Sequence, residues 1–186
     1  SIGTATRFEN SQITAIDLSL SSLAYAKRKT IEYGINNIEY MQADILDLKT
    51  LGKQFDIVES VGVLHHMKDP MSGWKILVDC LKPGGLMKIG LYGEVERKHI
   101  VKARDLISNL KIGNSREEMI AFREFIKTCK DQTLIKLYNE ADFYSTSNYQ
   151  DLIFHVQEHR FTAPQLYRCI EDLNLIYLGF EYPNKK

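Results

Sequence analysis

Between Phe55 and Tyr92 the chain passes from an apolar run into a polar, glycine-bearing loop, then an amphipathic stretch, then a tight turn into a second apolar run. The first run is Phe55-Asp56-Ile57-Val58, extending to Val61, and the loop after it carries Gly62, His65 and His66. Pro70 to Leu81 has helical spacing, and Leu81-Lys82-Pro83-Gly84-Gly85 turns the chain into Leu86 to Tyr92. A strand, a helix and a further strand in this order require a crossover connection, which places the two strands parallel in one sheet. Ligands of such sheets bind beyond the carboxyl ends of the strands. The loop that follows Val58 is therefore where a functional site is expected.

The same alternation precedes the block. Ser1 to Phe8 reads as the tail of a helix. Gln12 to Asp17 is a short apolar run closed by an acid, and Ser19 to Tyr33 follows as an amphipathic helix stopped by Gly34. Ile38 to Ala43 is a second strand, closed by Asp44. Strands alternating with helices predict a Rossmann-like, doubly wound α/β fold with a mostly parallel sheet. After Tyr92 the pattern changes. Val95 to Leu110 and Ser115 to Tyr138 are helical, the second opening with the capping-box spacing Ser115 to Glu118. Ala141 to Glu158 has no clean period, Thr162 to Leu173 is a helix with Thr162 as its cap, and Leu175 to Glu181 reads as a late strand. We expect one domain over residues 1–186, with its core in 1–93 and 162–186 and a helical insertion or lid over 94–161 before the last strand.

Lysine and arginine number 24, as do aspartate and glutamate, so no basic footprint for nucleic acid or an anionic membrane is present. No apolar run has the length of a bilayer span. Cys80, Cys129 and Cys169 are odd in number and widely spaced, which suits free thiols in a reducing compartment, and the cytoplasm is the expected location.

Asp17 and Asp44 stand at the ends of successive strands. A carboxylate is acceptor-only and can hold two vicinal hydroxyls, so acids at these positions suit a nucleoside; each taken alone equally suits a helix or turn cap. With Ala15-Ile16-Asp17-Leu18-Ser19, Gln42-Ala43-Asp44-Ile45, Phe55-Asp56-Ile57-Val58, Leu64-His65-His66 and Leu81-Lys82-Pro83-Gly84-Gly85 in this order, the first half of the chain resembles the class I S-adenosylmethionine-dependent methyltransferases. The resemblance implies S-adenosyl-L-methionine as cofactor and methyl transfer to an unidentified acceptor. It implies that Asp17 with Leu18 binds the ribose, that Asp44 with Ile45 binds the adenine, and that Glu59, Ser60 and Val61, with the residues to Val63, flank the methionine part or the methyl group. The family's glycine-rich loop has no counterpart upstream of Asp17, where the only glycine is Gly3. The chain is thus expected to be a fragment lacking the first strand, of doubtful activity alone, with a sheet edge that a partner chain would cover or that would lead to aggregation; a degenerate protein that has lost cofactor binding is the alternative.

His65 and His66 are candidates for positioning an acceptor or taking its proton; packing of one and solvation of the other is the plain alternative. A metal held by His65, His66 and Asp69 is not expected, because adjacent imidazoles seldom converge on one ion. Tyr144, Tyr149, Asp151, His155, Gln157, Glu158, His159 and Arg160 could close over a substrate, or could form a packed segment with Leu152, Phe154 and Val156 inside. Tyr144-Ser145-Thr146-Ser147 matches no motif, and Lys98, Lys102 and Arg104 read as a solvated face. A non-catalytic binding module on the same fold is the alternative function. A nicotinamide-dependent oxidoreductase fits less well, since Tyr92 is followed by Gly93-Glu94-Val95-Glu96 and no lysine.

Overall fold

The computed structural model describes residues 1–154 and 157–181, without the side chains of residues 146 and 147. It divides into two compact units, one of residues 1–58 and 72–87, the other of residues 59–71 and 88–186. The division cuts through one strand pair, β3 (Phe55–Val61) beside β4 (Leu81–Gly90), so each unit holds part of both strands.

In the first unit a short helix α1 (Ile2–Arg7) leads to β1 (Ile13–Asp17), α2 (Leu20–Glu32) and β2 (Ile38–Gln42). β1 and β2 pair in parallel, from Ile13 opposite Ile38 to Asp17 opposite Gln42, as a helical crossover demands. Ser19 caps α2 by accepting from the Ser22 amide at 3.2 Å. The helix is fixed to β2 through Thr30, whose buried hydroxyl donates to the Ala26 carbonyl at 2.8 Å and meets the Tyr40 hydroxyl at 2.6 Å. The buried Asn37 amide donates to the carbonyls of Phe8 (3.2 Å) and Ser11 (3.1 Å), tying the segment after α1 to the start of β2. Asp44 caps a 3-10 helix over Ile45–Leu51. From α3 (Pro70–Asp79), Trp74, Ile76 and Leu77 are buried, and the Trp74 indole N–H points at Met87 Sδ, 3.3 Å away. The expected turn at Leu81 to Gly85 lies inside the β4 ladder, with the Phe55 amide donating to the Cys80 carbonyl at 2.8 Å.

The second unit is mainly helical. A parallel pair, β5 (Tyr92–Gly93) with β6 (Arg160–Phe161), frames α4 (Lys98–Leu110), α5 (Arg116–Thr128), α6 (Gln132–Ile135) and α7 (Thr146–Phe154). Their shared core contains Ile100, Ala103, Ile107, Phe122, Ile126 and Leu137, closed by Phe143 and Tyr149. Ser115 and Glu118 form the expected capping box of α5, and Thr162 with Gln165 forms another on α8 (Ala163–Asp172). The single helix expected from Ser115 to Tyr138 is broken. Cys129 leaves helical geometry at ψ 151°, and Asp131 accepts from the amides of Thr133 and Leu134 to start α6 afresh. Lys136–Asn139 and Ala141–Tyr144 then form 3-10 turns. A local cap has overridden a continuous helical pattern.

Leu175 to Glu181 forms no strand with any described residue, contrary to the sequence reading. Ile176, Leu178 and Phe180 are all exposed, and Gly179 has φ 140°. Alternation makes a strand only where a neighbour offers a ladder and a surface to bury against, and the described residues supply neither here.

Candidate functional site

The two acids singled out in the sequence stand in the first unit. Asp17 ends β1, and its Oδ1 accepts from the Ser19 amide at 2.8 Å; the other oxygen has no partner among the described residues. Leu18 beside it is 66% exposed, an apolar side chain held out at a strand end, while its carbonyl accepts from Gln42 Nε2 at 3.0 Å. Asp44 lies two residues past the end of β2, with Oδ1 accepting from the Leu46 amide at 2.9 Å, and Ile45 is half-buried after it. Each acid therefore does cap the following turn. Each does so with one oxygen, and the β1–β2 register puts both at the same end of the pair. The capping and ligand readings are compatible.

The other predicted residues belong to the second unit. Glu59 accepts an ion pair from Lys88 at 3.5 Å. Ser60 is buried, and its hydroxyl has no partner among the described residues. Val61 is exposed, but its Cγ1 lies 2.7 Å from where a side chain would start at Gly90, so only glycine lets the two strands approach there. Gly62 follows with φ 79°, a left-handed conformation that turns the chain sharply off β3 into a 3-10 turn over Leu64–His66.

That turn separates the two histidines. His65 is 1% exposed, and neither ring nitrogen has a hydrogen-bond partner among the described residues. Burial, helped by the neighbouring His66, pushes its pKa down to about 4, against weaker opposing pulls from Glu158 and the Gly90 backbone. Its ring stacks on Tyr92, with centroids 3.8 Å apart and planes at 28°. The Arg97 guanidinium also lies over Tyr92, 3.8 Å from the ring centroid. His66 is half-buried and reaches the Gln157 carbonyl through Nδ1 at 3.1 Å. It lines a cleft of about 120 Å³ with Tyr92, Arg97, Asp142, Asp151 and Glu158.

Residues 157–161 act as a strap across this turn. The His159 amide donates to the His65 carbonyl at 2.8 Å, and Gln157 Nε2 donates to the Met67 carbonyl at 2.9 Å. The Glu158 side chain, 1% exposed, takes Nε and Nη2 of Arg97 in a two-pronged pair and Nη2 of Arg104 at 3.0 Å. Burial opposes its ionised form, but the Arg97 hydrogen bond and the charges of Arg104 and Arg97 prevail and hold its pKa below the usual carboxylate value. The predicted lid segment is thus a packed one in part: Tyr149 and Leu152 are buried, Asp151 is exposed at the cleft, and Tyr144 is exposed elsewhere. His155 and Val156 lie outside the described residues, as do the side chains of Thr146 and Ser147.

Sequence reasoning missed Tyr92, Arg97 and Arg104. The basic face of α4 is not simply solvated: Lys102 pairs with Asp131, and Arg104 is buried by four-fifths and also donates to the Leu152 carbonyl at 2.7 Å. The signal was present, because Arg97 and Arg104 fall at helical spacing with Ile100 and Ile107 on the buried stripe.

Residues 3–89 match the sequence model of the family described as "Methyltransferase domain". That stretch, just under half of the chain, is similar to the methyltransferase domains. An uncharacterized protein of Synechococcus sp. is 31% identical over 180 residues, covering 92% of this chain and 43% of its own length. The ubiquinone biosynthesis O-methyltransferase of Haemophilus ducreyi is 27% identical over 131 residues, 66% of this chain and 55% of its own length. Thus the chain spans about half the length of the curated relatives it matches. The solved structure of PKMT2 from Rickettsia typhi superposes with a TM-score of 0.75 at 20% identity, over 96% of this chain and 38% of that one. The same protein in complex with AdoHcy gives 0.71 at 18% identity, over 96% and 36%. These likenesses carry the Rossmann-like fold, with its parallel strand pairs.

Proposed function

We propose that the protein transfers a methyl group from S-adenosyl-L-methionine to an acceptor nucleophile. The observation that carries this reading is the family match over residues 3–89, because it covers both strand-end acids. The residues fit an adenosine. Asp17 keeps one carboxylate oxygen for vicinal hydroxyls beside exposed, apolar Leu18, and Asp44 keeps one for an amino group beside Ile45. In the second unit, the Ser60 hydroxyl at the end of β3, without a partner among the described residues, is a buried polar atom that a ligand would satisfy. Support also comes from the AdoHcy complex of PKMT2 and from the methyltransferase names of the curated relatives.

When bound, the cofactor supplies a methyl group on a positively charged sulfur, which needs no further activation. What remains for the protein is alignment and exclusion of water. Holding reacting groups in line is worth up to ~7–11 kcal/mol in favourable intramolecular cases. Glu59, Ser60 and Val61 would serve the methionine part, and Asp17, Leu18, Asp44 and Ile45 the nucleoside.

Calorimetric titration with S-adenosylhomocysteine tests the reading. Binding by the full-length protein that weakens at least tenfold in Asp17→Ala is expected. Tight binding with no conversion of S-adenosylmethionine in the presence of any acceptor would instead favour a non-catalytic binding module.

A further inference from the structure

Arg97 and Arg104 are drawn into the second unit by the Glu158 carboxylate. Arg123, on α5, is drawn in without one. It is half-buried, no carboxylate pairs with it among the described residues, and its buried Nε has no hydrogen-bond partner among them. We propose that Arg123 Nε and the Tyr149 hydroxyl together hold a small inorganic anion, of the chloride class, within the helical cluster. The site uses none of the residues assigned to methyl transfer and does not rest on that reading.

One carbonyl brings the two side chains together. Ser145, just ahead of α7, accepts from the Tyr149 amide at 2.8 Å and from Arg123 Nη2 at 3.3 Å. The second bond leads the guanidinium onto α7, where it lies 4.4 Å from the ring centroid of Tyr149 and 5.7 Å from that of Phe143. Such contacts favour the positive charge but satisfy no N–H. Tyr149 is fully buried, and its hydroxyl has no partner among the described residues. Burial pushes the phenol pKa well above the usual tyrosine value, against the weaker opposing charge of Arg123, so the group stays an O–H donor. With the guanidinium over the ring, Nε and the hydroxyl of that ring are within reach of one shared acceptor.

The chemistry of the two groups selects the occupant. Buried donors are almost always paired, and a cation withdrawn from water calls for a counter-charge. A single negative acceptor meets both demands. Water would accept from both donors but bring two hydrogens of its own, which also need partners. Both lone pairs of the Ser145 carbonyl are taken, and Phe143 and Leu152 in the same core cluster offer no acceptor. Interiors are packed to crystal-like density, which suits a single atom better than a carboxylate or a phosphate.

The test uses the 186-residue chain, with chloride itself as the probe. Chloride NMR should show saturable line broadening by the wild type. The affinity should weaken roughly tenfold or more in Arg123→Gln and in Tyr149→Phe, as expected on losing a hydrogen bond to a charged partner. Sodium chloride should also raise the urea midpoint of the wild type above that in sodium gluconate of equal ionic strength, and should not do so for Tyr149→Phe. Tyr149→Phe removes only the hydroxyl, so this arm decides the matter if Arg123→Gln does not fold. No saturable broadening by the wild type, which would leave water as the shared acceptor, overturns the proposal. So does an unchanged chloride affinity in Tyr149→Phe or in folded Arg123→Gln.

Discussion

At the scale of single residues, the second unit depends on two buried groups with opposite demands. His65 must stay neutral. Its pKa of about 4 lies below the ordinary histidine value near 6.5, so between those two pH values the unfolded chain binds more protons than the folded one. Stability then falls as pH drops through that window, by up to about 3 kcal/mol from this group. Chemical denaturation at pH 7 and pH 4.5 should show a smaller pH penalty in His65→Leu than in the wild type; equal penalties would contradict the burial argument. Glu158 must stay charged. Removing it as Glu158→Ala leaves Arg97 and Arg104 unpaired in the interior, and breaking a buried pair in this way costs about 3–5 kcal/mol. Thermal melts of that variant should show a large loss, while Lys127→Ala, which removes an exposed pair with Glu124, should change little.

At the scale of elements, the helices of the second unit stand on one shared apolar cluster. Ile126→Ala removes a fully buried side chain between α5 and its neighbours, and a loss of about 2–5 kcal/mol is expected in urea denaturation. Ser115→Ala, which deletes the cap of α5, should cost about 1 kcal/mol. Most elements were legible because their signals are local. Ser115 and Thr162 each cap the helix they were expected to cap, and the pairing of β1 with β2 follows from the helix between them. What was not legible depends on contacts distant in sequence. The break at Cys129 to Asp131 interrupts an unbroken periodic pattern, and only the cap geometry reveals it. Leu175 to Glu181 has the alternation of a strand, without a ladder to join among the described residues. The places of Asp17, Asp44 and the histidine pair after strands were readable. Which of the two histidines is the buried one was not, since contacts from Gln157 and His159, about ninety residues away, help to fix the turn that separates them.

At the scale of the whole molecule, equal numbers of acidic and basic residues leave a formal net charge of zero, so little repulsion opposes association. In the first unit the strand residues Ile57 and Leu86 are both more than half exposed. We therefore expect the protein to self-associate near neutral pH, and Ile57→Lys to reduce that association in sedimentation experiments; a monomeric wild type at high concentration would contradict this. What the molecule can do depends on whether it binds the cofactor. Calorimetric titration of S-adenosylhomocysteine into the full-length protein and its Asp17→Ala variant tests it most directly. Binding that weakens at least tenfold on substitution is the predicted result, and no detectable binding to the unsubstituted protein would contradict it.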